Sequence, residues 1–194
     1  SHKLASQAGV EILKNGGNAI DAAIATGFAL SVVHPGAGNI GGGGFMVIRL
    51  ADGTVTTIDF REVAPSAAYR DMFLDDSMNV IDGKSWQTSW ASGIPGSVAG
   101  FGMAHEKYGH NKWKTLVLPA INLAKSGFLL DFQNMSYLNH PYYEDYLSND
   151  SETEKIFVKS GLYELNEKFI QKDLGKTLQR IADSGWEEFY IGKT

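Results

Sequence analysis

Residues 4–33 carry two different helical patterns of hydrophobic and polar positions. Apolar side chains at positions 4, 8 and 12 recur at the spacing of one helix face, which predicts an amphipathic helix over residues 4–14. Gly16-Gly17 follows as a signal that ends this helix. After Asn18, a typical N-cap, residues 19–33 are apolar nearly all round, as expected of a helix buried on most sides.

A glycine-rich loop and a β-hairpin are predicted next, over residues 34–60. Pro35 ends the second helix, and the nine residues after it contain six glycines, which permit close backbone packing. Two runs rich in apolar and β-branched residues follow, at 45–50 and 54–60. They flank Asp52-Gly53, and this pattern is the strongest short-range signal for a hairpin.

From residue 61 onward the pattern predicts a mainly helical region, 61–194. The clearest predicted helices are 97–108, 116–125 with a kink at Pro119, and 174–182 before Gly185. Residues 137–151 are aromatic and acidic without clear periodicity. Helices with one early hairpin and no internal repeat predict an α+β fold, in one domain or a large piece of one.

Composition and charge exclude several classes of function. The 194 residues are 43% hydrophobic and 20% charged, as in an ordinary globular chain. The formal net charge is −5, and residues 131–194 carry the whole excess, with twelve acidic and seven basic residues. No basic face is indicated, so nucleic acid is not expected as a partner. The most apolar run, 19–33, is shorter than the ~20 residues of a membrane span and contains Asp21, so no span is predicted.

Motifs of common cofactor and metal sites occur only in part. Residues 36–41 match GxGxxG, but a predicted helix precedes them and a strand follows, the reverse of a dinucleotide-binding unit. The absence of cysteine excludes a disulfide, a thiolate nucleophile and a cysteine-ligated zinc. The five histidines form no pair at metal-ligand spacing, and no serine lies in a GxSxG motif. The sequence therefore predicts no metal, no cofactor and no complete catalytic set in this chain.

Several motifs together resemble the γ-glutamyltranspeptidase family. They are Gly41-Gly42-Gly43-Gly44-Phe45-Met46, Asp59-Phe60-Arg61-Glu62-Val63-Ala64-Pro65 and the stretch 91–100. The two opening helices and the closing Glu188-Phe189-Tyr190 are similar as well, so the resemblance covers essentially the whole chain. Lys3 stands where the family has proline.

This resemblance implies an N-terminal-nucleophile hydrolase with an αββα sandwich, of which residues 1–194 are a single partial domain from the N-terminal portion of the large subunit. Members of the family are precursors that cleave themselves, and the new N-terminal threonine of the small subunit attacks a γ-glutamyl amide. Water, an amino acid or a peptide then takes the γ-glutamyl group. The resemblance implies glutathione as donor, the small subunit as partner, no cofactor, and a periplasmic or extracellular location.

The nucleophile is expected to lie outside this chain, which alone should be inactive. Thr56-Thr57 lies within a predicted strand and is followed by Ile58 instead of the histidine of the processing motif. An N-terminal serine can act as a nucleophile with its own amine as general base, which makes Ser1 a second candidate. A boundary inside a longer precursor is the simpler interpretation of Ser1.

Arg61 is the residue to which the resemblance assigns substrate binding, through the α-carboxylate of the γ-glutamyl donor. A guanidinium suits this task because its rigid fork donates two parallel hydrogen bonds to a carboxylate. Asp59 and Glu62 are expected to hold the Arg61 side chain in its binding orientation. The spacing leaves open the alternative that Arg61 only forms a surface ion pair with one of them. The run Gly41–Gly44 is expected to be scaffolding that lets the buried helix and the hairpin pack closely.

Three other functions remain open. A cephalosporin or glutaryl acylase and a poly-γ-glutamate-processing transpeptidase share the architecture of the family. The signature over residues 59–62 favours γ-glutamyl substrates over the acylase and does not exclude the transpeptidase. A non-catalytic binding module on the same half-fold is the third, and a gene that continues to a threonine-led segment would exclude it.

Overall fold

The computed structural model describes residues 2–194 and divides them into two compact units. The smaller unit is residues 40–100, and the larger one combines the residues before 40 with those from Phe101 onward. The larger unit is mainly helical with one short pair of strands, whereas the smaller one holds a hairpin and a long irregular segment. The interpretation of residues 1–194 as a single partial domain concerns the longer parent protein, and it stays a prediction.

The helices and the hairpin follow the predicted order, and a second antiparallel pair of two-residue strands, 128–129 with 168–169, was not predicted. In chain order they are α1 (Lys3–Lys14), α2 (Ala19–Val33), β1 (Phe45–Arg49), β2 (Val55–Asp59), α3 (Ser97–Tyr108), α4 (Trp113–Ser126), β3 (Phe128–Leu129), α5 (Phe132–Leu138), α6 (Pro141–Leu147), α7 (Ser151–Phe157), β4 (Lys168–Phe169), α8 (Lys172–Ser184) and α9 (Glu188–Ile191). Within residues 2–194, none of the helices has the length and hydrophobicity to cross a membrane.

Helix α2 is the centre of the larger unit because it is apolar on nearly every side. Ile24, Phe28 and Val32 have no exposed surface, and the helix packs against both α1 and α4. The rings of Phe101 and Trp113 meet the Phe28 ring edge-on, with centroids 5.1 and 5.5 Å away. Full burial of a side chain such as Phe28 contributes about 1.5–3 kcal/mol, so the predicted buried helix is also a main source of stability.

A buried carboxylate fixes the start of α2. Asp21 has no exposed surface, and it accepts a hydrogen bond from the Asn18 backbone N–H at 3.0 Å, while the Asn18 side chain accepts one from the Asp21 N–H. Asp21 also accepts from the backbone N–H groups of His110 (3.0 Å) and Asn111 (3.1 Å). These bonds offset the desolvation of the charge and join the start of α2 to the loop between α3 and α4.

Helices α5, α6 and α7 lie in and around the segment that shows no periodicity. Each has seven residues, too few for an apolar stripe to repeat. Each begins at a side chain that accepts a hydrogen bond from the first turn: Asp131, His140 and Asp150 respectively. The capping residues, not the hydrophobic pattern, are the sequence signal for these helices.

In the smaller unit, β1 and β2 form the predicted antiparallel hairpin around Asp52-Gly53. The pairs are Phe45 with Asp59, Met46 with Ile58, Val47 with Thr57, Ile48 with Thr56, and Arg49 with Val55. One face buries Ile48 and Ile58, and the other leaves Phe45, Val47 and Val55 exposed. Successive side chains of a strand alternate between faces, so this register decides which residues lie side by side.

Residues 61–96 form turns and isolated bridges with one short 3-10 helix, Ser89–Ala91, so the helical region predicted for 61–194 begins only at Ser97. Val63 pairs with Ile94 in one bridge, and Leu74 pairs with Val80 in another. The physical reason is a succession of turn-forming residues, because Asp, Ser, Asn, Gly and Pro recur throughout the segment.

Met78 lies at the tip of the Leu74–Val80 turn with φ of +65°, a left-handed conformation that costs a residue with a Cβ roughly 1 kcal/mol. Its side chain is mostly exposed, so little packing depends on it. Met78→Gly is expected to raise the free energy of unfolding of the full-length protein by about 0.5–1 kcal/mol, measured by chemical denaturation. Met78→Ala removes the same side chain but keeps the Cβ, and an equal gain from alanine would contradict the explanation by backbone strain.

Candidate functional site

The candidate site lies where the hairpin ladder runs past the end of β2. Gly44 and Phe60 exchange both backbone hydrogen bonds, at 3.2 and 2.9 Å, so the pairing continues one step beyond Phe45 and Asp59. Alternation of faces then places Arg61 on the same face as Asp59 and Phe45, and Phe60 on the other. One further step of the same register sets Gly43 opposite Arg61.

The glycine segment beside Arg61 is joined by hydrogen bonds to the start of α3. The Gly42 carbonyl accepts hydrogen bonds from the backbone N–H groups of Gly96 (2.8 Å) and Ser97 (2.9 Å). A Cβ at Gly96 would overlap the Phe60 carbonyl oxygen, and a Cβ at Gly100 would overlap the Phe60 ring. Phe60 is therefore packed against glycines, which fixes the strand end that carries Arg61.

The four consecutive glycines are not equivalent. A Cβ at Gly43 would lie 2.5 Å from the Phe60 carbonyl oxygen and 2.8 Å from the Glu62 backbone nitrogen, both main-chain atoms that have little freedom to move. A Cβ at Gly44 would meet only the Phe60 ring, at 3.1 Å, and one at Gly41 would meet nothing within 4 Å. Close packing within this run is thus concentrated at Gly43 and is made with the strand end at residues 60–62, while the role expected of the run between the buried helix and the hairpin stays a prediction.

Arg61 lies beside the two acidic residues named from the sequence. Its backbone N–H donates to Asp59 Oδ1 at 3.0 Å, and its Nε lies 3.7 Å from Glu62 Oε2. The Arg61 side chain is 67% exposed, and within residues 2–194 its guanidinium makes no hydrogen bond. Arg61 therefore does form a surface ion pair with Glu62, but the distance between the charged atoms is long. An exposed ion pair of this kind contributes only about 0–1 kcal/mol to stability. The guanidinium keeps its donors available for an anionic ligand.

Phe45 is a neighbour of Arg61 to which the sequence motifs assigned no role in the site. The Arg61 guanidinium carbon lies 5.9 Å from the centroid of the Phe45 ring, within the range of a cation–π contact. The hairpin register contains a sequence signal for this contact. A turn at Asp52-Gly53 pairs Phe45 with Asp59, and Arg61 then lies diagonally across from Phe45 on the same face.

The candidate nucleophiles are placed as follows. Thr56 and Thr57 lie inside β2, paired with Ile48 and Val47, so neither can present a free α-amine. Ser1 lies outside the described residues. Among residues 2–194, no three His, Asp or Glu side chains are grouped closely enough to hold a metal ion.

Comparison with known proteins agrees with these motifs. A sequence profile described as gamma-glutamyltranspeptidase matches residues 5–194. The chain is 48% identical to the glutathione hydrolase proenzyme of Escherichia coli K12 over 189 residues, which are 97% of this chain and 32% of that protein. It therefore spans about a third of the length of the curated relatives that it matches.

Solved structures show the same likeness in three dimensions. The Helicobacter pylori gamma-glutamyltranspeptidase has a TM-score of 0.95 and 46% identity, over 100% of this chain and 55% of that one. The Pseudomonas nitroreducens gamma-glutamyltranspeptidase complexed with L-DON has a TM-score of 0.88 and 40% identity, over 99% of this chain and 56% of that one. The predicted α+β class is confirmed, as a partial N-terminal-nucleophile hydrolase fold. With a profile match over nearly its whole length, the chain belongs to the gamma-glutamyltranspeptidase family.

Proposed function

We propose that this chain is the N-terminal portion of the large subunit of a γ-glutamyltransferase. The full enzyme would cleave γ-glutamyl amides such as glutathione and transfer the γ-glutamyl group to water, amino acids or peptides. The observation that carries the proposal is the exposed Arg61 guanidinium, without a hydrogen bond within residues 2–194, on a strand end held by glycine packing. Family membership supports the class of reaction.

In this proposal Arg61 binds the α-carboxylate of the donor. The nearest approach of Glu62 is to Nε, which leaves the two terminal nitrogens of the fork for a bidentate contact. Asp59 accepts the Arg61 backbone N–H and so holds the main chain from which the side chain projects. A γ-glutamyl group held by its carboxylate at a fixed point presents its amide at a defined distance, which lowers the entropic cost of reaction.

The bond-making groups belong to the small subunit of the same precursor. The hydroxyl oxygen of its N-terminal threonine adds to the amide carbonyl carbon, the C–N bond breaks, and the amine leaves with the proton of the hydroxyl. Water or an acceptor amine then attacks the resulting ester and restores the hydroxyl. Because this acyl transfer needs a nucleophile, a base and oxyanion donors, it requires no metal or cofactor.

The proposal includes the origin and the location of the protein. Relatives named proenzymes support synthesis as a precursor from which the small subunit is cut. The periplasmic or extracellular location is proposed from family membership alone. Fractionation of cells that express the full gene tests this location.

The test is made on the full-length gene product. The purified protein is expected to resolve into two subunits by mass under denaturing conditions and to release p-nitroaniline from γ-glutamyl-p-nitroanilide. Residues 1–194 alone are expected to release none, and activity there would return Ser1 to consideration as nucleophile. Hydrolysis of a glutaryl anilide but not the γ-glutamyl anilide would overturn the proposal in favour of an acylase, and a processed protein inactive on both would favour a binding module.

A further inference from the structure

We propose that Phe45 is a positioning residue for Arg61: its ring holds the guanidinium so that the fork faces the substrate carboxylate. This inference rests on the proposed role of Arg61 in substrate binding. It assigns to the first residue of β1 a role in γ-glutamyl specificity, in addition to its place in the hairpin.

The hairpin register creates the contact. Phe45 faces Asp59 at a position where the pair exchanges no backbone hydrogen bonds, because the bonded pair is its neighbour Gly44 with Phe60. Side chains of such a pair approach closely, and a diagonal neighbour two residues further along remains within reach of a long side chain. Arg61 is that diagonal neighbour, and its guanidinium lies 5.9 Å from the Phe45 ring centroid.

No other side chain on β1, or on the glycine that precedes it opposite Arg61, competes with Phe45 for the guanidinium. Gly43 stands opposite Arg61 and has no side chain that could compete. Lateral support for the guanidinium from this strand therefore comes from Phe45. The arrangement also explains why a large aromatic side chain, 64% exposed, begins the strand directly after four glycines.

The chemistry of the contact suits a clamp. A ring face attracts a guanidinium through its quadrupole without using any of the N–H donors, so all of them remain for the ligand. The Glu62 carboxylate, in contrast, competes for those donors. Arginine has many rotamers in solution, and a side chain that already lies against a ring loses less freedom when it binds a carboxylate.

The experiment compares Phe45→Leu with Phe45→Tyr in the full-length processed enzyme. Phe45→Leu is expected to raise KM for γ-glutamyl-p-nitroanilide about 3- to 10-fold with kcat within twofold, whereas Phe45→Tyr keeps the ring and stays near the parent. Phe45→Met, with a flexible apolar side chain, gives the same test if leucine prevents self-cleavage. Val47→Ile changes an apolar side chain on the same exposed face, away from Arg61, and is expected to leave both constants unchanged.

A second substrate separates positioning from a structural role. On an anilide whose α-carboxylate is replaced by a carboxamide, the increase caused by Phe45→Leu is expected to disappear, because the clamp has no anion to hold. A KM that does not change in either ring-deleting variant, or an equal loss on both substrates, would overturn the inference. Arg61→Lys serves as the reference variant. If Arg61→Lys does not change KM, the proposed binding of the carboxylate by Arg61 is wrong. If Arg61→Lys raises KM but the Phe45 variants do not, only the role of Phe45 is wrong.

Discussion

Arg61→Lys in the full-length enzyme is expected to raise KM for γ-glutamyl-p-nitroanilide about 30-fold or more, with a much smaller change in kcat. Lysine keeps the positive charge but loses the planar fork that matches a carboxylate with two parallel hydrogen bonds. The expected increase corresponds to ~2 kcal/mol, the lower end of the cost of removing one partner of a hydrogen-bonded charge pair. Steady-state kinetics with each subunit confirmed by mass measures it.

Arg49→Lys is the matched control, because Arg49 lies on the same hairpin face at the opposite end, paired with Val55. It is expected to leave KM unchanged. The carboxamide analogue of the substrate should also remove most of the difference between the parent and Arg61→Lys. Unchanged kinetics for Arg61→Lys with the carboxylate substrate would show that Arg61 only pairs with Glu62 at the surface.

Gly43→Val is expected to prevent folding or self-cleavage of the precursor. Any Cβ at this position presses on the main chain of residues 60–62, which the backbone hydrogen bonds of Phe60 with Gly44 and of Val63 with Ile94 hold in place. Gly43→Ala, the smaller change, should cost about 1–3 kcal/mol of stability, the usual range for overpacking. The fraction of precursor cut into two subunits, read on a denaturing gel, and the soluble yield measure the effect.

Gly41→Ala and Gly41→Val provide the control in the same glycine run. A Cβ at Gly41 meets no described atom within 4 Å, so both variants are expected to mature like the parent protein. Equal damage from substitution at the two positions would mean that the run acts through backbone flexibility, not through the contact of Gly43 with the strand.

Much of the fold could be predicted from local signals. The apolar sequence of residues 19–33 and the capping pair Asn18 and Asp21 define α2, and Asp52-Gly53 defines the hairpin. The short helices and the irregular residues 61–96 could not be assigned from periodicity, because seven residues make barely two turns. There the capping and turn residues decide the structure, and their effect depends on tertiary contacts.

In the candidate site, too, some residues could be predicted from the sequence and others could not. Arg61, Asp59 and Glu62 could be named because they form a contiguous motif with a family precedent, and the structure places them in contact. Phe45 lies sixteen positions before Arg61 and required the strand register. The unequal importance of Gly41 and Gly43 required atomic distances, since the two positions have the same residue type.

The buried Asp21 carboxylate has a consequence for local opening of the protein. His110 and Asn111 belong to a loop, where backbone amides ordinarily exchange their hydrogens with solvent quickly. Here both amides donate to a carboxylate with no exposed surface at the start of the central helix. Their exchange therefore requires α2 to separate from this loop, so these two loop amides should be protected as strongly as the amides of the helix core and should report on the opening of that core.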